Sequence, residues 1–180
     1  TNGSRWLGCY FAKAKDIVFN RRRPFHPVAP IDYKVIDNAI YVSFYVDQPP
    51  LQFFSPFRLG SRITVTNKGF RAFSHVQNDS AGIGTELTIT AVDIVSDTMV
   101  RISCSSPPQG TVRVAYTAKA TSTSLGLGML ADSDTYIPDE IYEYDPQFTQ
   151  WPEENIPELI GKPYPMQNWC IAFSQTFQAS

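Results

Sequence analysis

The chain has few of the residues on which most metal and disulfide chemistry depends. Its 180 residues include two histidines, His26 and His75, and three cysteines, Cys9, Cys104 and Cys170. Three widely separated cysteines make no disulfide framework, and the absence of a Cys-x-x-Cys spacing excludes the usual zinc site. We therefore expect free, buried thiols, which suit folding in a reducing compartment. A bridge between Cys104 and Cys170 stays open as an alternative.

Catalytic motifs are absent as well. The sequence contains no Gly-x-Ser-x-Gly elbow, no HExxH and no Walker-type phosphate loop. A triad needs a nucleophile, a base and an orienting acid within hydrogen-bond reach, and no spacing nominates three such residues. Asp132 and Asp134 lack the further ligands of a calcium loop, so an Asx turn is the favoured interpretation. We expect no catalytic residue, metal or cofactor here, and no activity from this chain alone.

Charge and hydropathy exclude two further kinds of partner. The formal net charge is −2, and the one basic run, at residues 21–23, is three arginines long. That run is too short for a nucleic-acid footprint and fits a helix C-terminus, where cations interact favourably with the dipole. No apolar run reaches the roughly 18 residues of a membrane-spanning helix. Neither nucleic-acid binding nor membrane insertion is expected.

Residues 1–20 have the pattern of an amphipathic helix, with Asn2 or Ser4 as the N-cap. Apolar residues at steps of three and four predict one apolar side, made of Trp6, Leu7, Tyr10, Phe11, Ala14, Ile17 and Val18. The opposite side is predicted to carry Arg5, Lys13, Lys15 and Asp16. A helix with this much aromatic surface is stable only against a core. It therefore docks either on the rest of this chain or on a domain upstream of it.

A connector and then a series of β-strands are predicted after the helix. Prolines at 24, 27 and 30 stiffen extended chain, so residues 21–36 are predicted to be a semi-rigid connector. Residues 37–180 contain short segments with a period of two, separated by turns. These segments are 39–46, 62–66, 85–95, 98–105, 111–117 and 169–177. The pattern predicts a mainly β domain, an antiparallel β-sandwich of jelly-roll-like type.

Residues 136–165, called the excursion below, do not fit a minimal sandwich. They are acidic, interrupted by prolines and rich in aromatic residues, which argues against disorder. Connections this long are usually functional, so we expect the excursion to pack on the sandwich or on a neighbouring domain. Alternatively, its rings stack on the C–H surface of a sugar while its carboxylates accept hydrogen bonds from hydroxyls. The candidate substrate-binding residues are then Tyr142, Tyr144 and Trp151.

The N-terminal segment resembles part of a known hydrolase family. TNGSRWLGCYFAKA, residues 1–14, resembles the segment that closes the catalytic domain of SGNH/GDSL hydrolases. In that family an Asp-x-x-His block precedes a Thr/Asn/Gly-containing turn and a helix that packs on the central sheet. The resemblance implies that the triad Asp and His lie just upstream of Thr1 and the nucleophilic Ser farther upstream. It also places Thr1, Asn2 and Gly3 near the active-site rim.

The rest of the chain resembles the β-sandwich that follows this catalytic domain in several carbohydrate esterases, including examples from phage tails and prophages. The stretches concerned are AIYVSFYVDQPPLQF, GTVRVAYT, GMLADSD and PYPMQNWCIAF. The resemblance implies that residues 1–20 are the last helix of an upstream α/β hydrolase domain and residues 37–180 an accessory sandwich. Without that domain, Trp6, Tyr10 and Phe11 would be exposed and residues 1–34 poorly ordered.

The function implied is that of a serine esterase which deacetylates a bacterial surface polysaccharide, with the upstream catalytic domain and the polysaccharide as partners. The sandwich would support the catalytic domain and present substrate. The alternative is a carbohydrate-binding, receptor-binding or assembly module of a phage tail fibre or spike, with homo-oligomerisation, as a trimer, if it is tail-associated. Both imply a place in the virion tail or outside the cell, after folding in a reducing cytoplasm if the protein is phage-derived.

Overall fold

The computed structural model describes residues 1–54, 65–76, 84–117, 127–148 and 155–179. Helix α1 spans Asn2–Lys15 and runs into a π-helical turn over Asp16–Asn20. Ten strands follow in these ranges: β1 (Ala29–Ile36), β2 (Ala39–Tyr45), β3 (Gln52–Phe53), β4 (Phe70–Ser74), β5 (Thr85–Leu87), β6 (Ile89–Ser96), β7 (Met99–Cys104), β8 (Thr111–Tyr116), β9 (Leu130–Ala131) and β10 (Phe173–Gln178). None of the helices in the described ranges has the length and apolar character that a bilayer crossing requires.

The strands form two four-stranded sheets and one short two-stranded sheet. The first sheet has the order β1-β2-β7-β6, the second β10-β8-β4-β5, and β3 pairs with β9. All these pairings are antiparallel. The predicted fold class is therefore confirmed: the protein is mainly β, with antiparallel sheets preceded by a single helix.

The core of the sandwich lies between the two large sheets. Side chains alternate across a strand, so each strand contributes every second residue to this core. The first sheet supplies Ile40, Val42, Phe44, Val100, Ile102 and Cys104, and the second supplies Phe70, Ala72, Val112, Val114 and Tyr116. Phe173 of β10 stacks on Tyr116 with ring centroids 5.7 Å apart. The period of two read from the sequence is thus the alternation of buried and exposed positions in each sheet.

Strand β1 corrects the predicted connector. Residues 29–36 pair with β2, from Ala29 opposite Tyr45 to Ile36 opposite Ala39, so the connector is confined to residues 21–28. Pro30 is tolerated because β1 is an edge strand of its sheet. Tyr33 and Val35 pack against the core while their neighbours are exposed. Because of the three closely spaced prolines, this alternation was interpreted as a connector and not as a strand.

Of the other predicted strands, some are confirmed and others differ in their boundaries. Segments 39–46, 98–105 and 111–117 are strands as predicted, and β6 and β7 form the predicted hairpin. Segment 85–95 divides at Thr88, because β5 pairs with β4 in one sheet and β6 with β7 in the other. The final strand starts at Phe173, while Trp169 and Cys170 make only isolated bridges. Residues 62–64 of segment 62–66 lie outside the described residues, and Thr66 begins a 3-10 turn instead of ending a strand. Strand β4 was not predicted.

Candidate functional site

A second hydrophobic cluster joins α1 to the excursion. Its buried members are Trp6, Cys9, Tyr142, Ile156, Tyr164 and Met166. The Trp6 indole N–H donates a hydrogen bond of 2.7 Å to the carbonyl oxygen of Pro165, and its ring centroid lies 5.8 Å from that of Tyr164. Helix α1 therefore docks on this chain. The expectation that Trp6 and Tyr10 are exposed, with residues 1–34 left without a packing partner, was wrong.

Helix α1 has two apolar faces instead of the single one predicted. Trp6 and Cys9 are buried, whereas Leu7 is 56% exposed and Phe11 68% exposed. Successive residues lie about 100° apart around a helix, so Trp6 and Leu7 point in different directions. The exposed apolar residues of the helix and its π-helical turn are Leu7, Phe11, Val18 and Phe19, called the outer stripe below.

Lys13 is the second correction to the predicted helix, because it is fully buried and not on the solvent side. Its ammonium group donates to the carbonyl oxygen of Met166 and, at 2.7 Å, to Oδ1 of Asn168. It also forms an ion pair with Asp134, with Nζ 2.8 Å from Oδ2. The three donors of the ammonium therefore have three acceptors, which a buried charge requires.

Asp132 extends this network into the sandwich. It is fully buried, and its Oδ1 accepts hydrogen bonds from the backbone N–H groups of Asp134 (3.1 Å) and Asn168 (2.7 Å). Its Oδ2 accepts from the side-chain amide of Asn168 at 2.7 Å. Burial raises the pKa of Asp132, while these hydrogen bonds act in the opposite direction. The Asp132–Asn168 contact thus anchors the Lys13 site immediately after β9.

The predicted Asx turns are present. The backbone N–H of Asp134 bonds to Asp132, and that of Tyr136 bonds to Oδ1 of Asp134 at 2.8 Å. Asp134 is also the ion-pair partner of Lys13, so its carboxylate binds a cation of the protein itself. No cluster of three or more metal-ligating side chains occurs within the described ranges.

The three candidate sugar-binding residues do not share one surface. Tyr142 is 1% exposed, its hydroxyl accepts from the Ile156 N–H at 3.2 Å, and its ring lies 5.2 Å from that of Tyr164. A sugar cannot stack on a ring enclosed in this way. Tyr144 is 54% exposed. Trp151 lies outside the described residues.

Tyr144 borders an open cavity between the excursion and the first turn of α1. The cavity has a volume of about 400 Å³ and is lined by Thr1, Arg5, Glu143, Tyr144, Asp145, Pro146 and Gln147. Within this lining, the Arg5 guanidinium forms an ion pair with Glu143, with Nη1 2.9 Å from Oε2, and both side chains are more than half exposed. The cavity therefore combines an exposed ring, a cation and two carboxylates.

Two asparagines hold the backbone on either side of Tyr144. Neither was predicted from the sequence to belong to this cavity. Asn2 is buried, and its side-chain amide donates to the carbonyl of Glu143 at 2.8 Å. Asn155 is also buried; it accepts from the N–H of Asp145 at 2.7 Å and donates to the carbonyl of Asp145 at 2.9 Å. Asn2 is not the helix cap, because the Thr1 hydroxyl accepts from the Ser4 N–H. Nothing local in the sequence indicates a contact across 141 positions.

The histidines are not brought together with these groups. His26 packs edge-on against Tyr45, with ring centroids 5.1 Å apart. His75 follows β4, has a positive φ of 52° and lies beside Gly110. Neither residue is among those that line the Tyr144 cavity.

The cysteines are three free, buried thiols, as expected. The alternative of a Cys104–Cys170 bridge is therefore wrong, although both side chains belong to the sandwich core. Burial raises the pKa of the thiols of Cys9, Cys104 and Cys170. A raised pKa lowers the thiolate fraction and hence the reactivity of a cysteine.

We expect the native protein to react slowly with a disulfide reagent at pH 8, because its thiols are both enclosed and protonated. In denaturant, three equivalents of thiol should react, since all three cysteines are free. The measurement is the release of thionitrobenzoate with and without denaturant. Release of only one equivalent from the unreduced, denatured protein would show that a disulfide had formed.

Comparison with known proteins identifies no family. No family model matches the chain, and no curated protein matches it. Two solved structures of the bacterial S-layer protein SbsC are similar. The structure of its N-terminal part has 15% identity and a TM-score of 0.35, and the match covers 61% of this chain and 20% of that one. The second has 12% identity and a TM-score of 0.34, covering 67% and 16%. The chain thus spans a fifth or less of those proteins, and likeness at this level carries no functional argument.

Proposed function

We propose that this chain is the C-terminal part of a serine esterase that deacetylates a bacterial surface polysaccharide. In this proposal the sandwich supports an SGNH-type catalytic domain and presents substrate to it. The observation that carries the proposal is the outer stripe of α1. Leu7, Phe11 and Phe19 are all more than half exposed, although the opposite face of the same helix is fixed to the excursion.

A helix with apolar residues on two faces fits a position between two packed bodies. The first body is present, because Trp6 ties α1 to the excursion and Lys13 ties it to Asp134, which follows β9. The second body would cover the outer stripe. Burial of one Leu or Phe side chain contributes roughly 1.5–3 kcal/mol, so covering this stripe would stabilise a domain contact substantially. The resemblance of residues 1–14 to the closing segment of an SGNH domain supports the catalytic domain as that second body.

The catalytic groups of such an enzyme lie outside this chain. A serine would attack the acetyl carbonyl, and preorganised donors would stabilise the oxyanion. This chain's contribution is positional. Asn2 in the first turn of α1 holds the backbone of Glu143, so the excursion reaches the end of the helix that the resemblance places at the active-site rim.

Turnover of p-nitrophenyl acetate tests this proposal. A protein that extends upstream of Thr1 to include the catalytic domain should hydrolyse the ester, whereas the present chain should not exceed a protein blank. In the longer protein, Phe11→Glu should lower the activity or the yield of folded enzyme, because it places a charge in the domain contact. Lys15→Glu, at an exposed position of the same helix, is the matched control. Turnover by the present chain, or an upstream sequence without an Asp-x-x-His block, would refute the esterase role.

The outer stripe also favours a second function, assembly with other copies of this chain. Apolar patches on a helix can pair between copies, as a tail-associated module would require. Light scattering separates the two functions. The esterase proposal predicts a monomer of the present chain, and assembly through the stripe predicts a defined oligomer, a trimer in a phage tail, that Phe11→Glu dissociates.

A further inference from the structure

We infer that the cavity beside Tyr144 binds one neutral pyranose unit of a glycan, with the Tyr144 ring as the stacking surface. The inference rests on the proposed function, because the sugar would be a unit of the polysaccharide substrate. It concerns this chain alone, and it goes beyond the esterase role by identifying where substrate is held.

The first support is the contrast between two tyrosines of the same segment. Tyr142 is buried in the cluster with Trp6, whereas Tyr144 is 54% exposed. A single exposed tyrosine is common on protein surfaces and needs no explanation by itself. What distinguishes Tyr144 is the rigidity of the backbone that carries it.

The backbone on each side of Tyr144 is held by a buried asparagine. Asn155 makes two hydrogen bonds to Asp145, one to its N–H and one to its carbonyl. Asn2 donates to the carbonyl of Glu143. These amides fix the backbone that carries the ring while leaving the ring in solvent. A backbone that is fixed before binding loses less conformational entropy when a ligand stacks on the ring it carries, which favours binding.

The polar groups around the ring suit hydroxyls. Arg5 provides N–H donors, while Glu143 and Asp145 provide carboxylate acceptors, and a sugar hydroxyl can both donate and accept. Arg5 is already paired with Glu143, and Asp145 adds a second negative charge. An anionic sugar would be repelled by the excess of acidic side chains around the cavity, so a neutral pyranose fits this site better. A volume of about 400 Å³ lies within the range of small-molecule sites, ~300–1,000 Å³.

Saturation-transfer NMR on the full 180-residue chain tests this site. The probes are methyl β-glucopyranoside, methyl β-galactopyranoside and N-acetylglucosamine, each added separately. We expect saturation transfer to at least one of them. Tyr144→Ala should weaken its association about five- to tenfold, and Tyr144→Trp should preserve it, because a larger ring still stacks. Tyr45→Ala, which removes a half-exposed tyrosine from β2, is the matched control and should change nothing.

Two results would overturn the inference: no transfer to any of the three probes, or equal binding by the parent and Tyr144→Ala. Thermal melting of each variant shows whether the fold is intact, and Tyr144→Trp keeps the test valid if the alanine variant is unstable. The outcome is separable from the esterase role. Hydrolysis of p-nitrophenyl acetate needs no sugar site, and sugar binding by this chain needs no catalytic domain.

Discussion

Replacing Lys13 by methionine should destabilise the protein by about 3–5 kcal/mol, the usual cost of removing one partner from a buried ion pair. Methionine has a similar length, so the loss is electrostatic and not steric. Asp134 would lose its cation, and the Met166 carbonyl and Asn168 Oδ1 would lose the donor they share. Because Lys13 forms the buried ion pair that links α1 to Asp134, the helix should also loosen.

Urea unfolding and amide exchange measure these two effects. The midpoint of unfolding should fall, and amides of residues 5–18 should exchange faster than those of the sandwich strands. Lys15→Met is the matched control, since Lys15 is exposed on the same helix and its replacement should alter stability by less than about 0.5 kcal/mol. Equal stability of the Lys13 and Lys15 variants would show that Lys13 does not hold the helix in place.

The second large effect concerns two aromatic residues five positions apart on α1. Trp6→Ala should cost about 3–5 kcal/mol, because it leaves a cavity in the cluster with Tyr142 and Tyr164 and removes the bond to Pro165. Phe11→Ala should change the stability of this chain by less than about 0.5 kcal/mol, because its ring is 68% exposed. Thermal or urea unfolding of the two variants measures the difference.

The comparison contains its own control, since both variants delete one aromatic ring from the same helix. Similar losses from the two substitutions would mean that both faces are packed within this chain. A larger loss from Phe11→Ala than from Trp6→Ala would mean that the helix is rotated relative to its described position. Either outcome would remove the outer stripe as a docking surface.

The sandwich could be predicted from the sequence because its strands obey a local rule. Alternation in segments 39–46 and 98–105 reflects one buried and one exposed face, and each strand carries that signal in its own residues. Strand β1 was not predicted because Pro30 is unfavourable in most strands and is tolerated only at the edge of a sheet. Whether a strand lies at an edge depends on the pairing of the whole sheet and is not visible in the local sequence. The division of segment 85–95 between two sheets is likewise set by tertiary pairing.

The face that α1 buries could not be predicted. Its apolar residues cover more than one side of the helix, so periodicity does not decide between Trp6 and Leu7 as the inward residue. Lys13 appeared solvated because lysine is rarely buried, and its acceptors lie more than 120 residues away. Tyr142 and Tyr144 lie two positions apart in the same segment, and only tertiary packing distinguishes them, because Tyr142 is buried in the cluster with Trp6 and Tyr144 is exposed.

We propose that α1 is shared by two bodies, with Trp6 facing the excursion and the outer stripe facing a catalytic domain. Hydroxyl-radical footprinting read by mass spectrometry tests this directly. In the present chain, Phe11 and Phe19 should be oxidised readily and Trp6 should be protected, as their exposures require. In the protein extended upstream of Thr1, Phe11 and Phe19 should become protected as well. Equal oxidation of these two phenylalanines in the short and the extended protein would contradict the account.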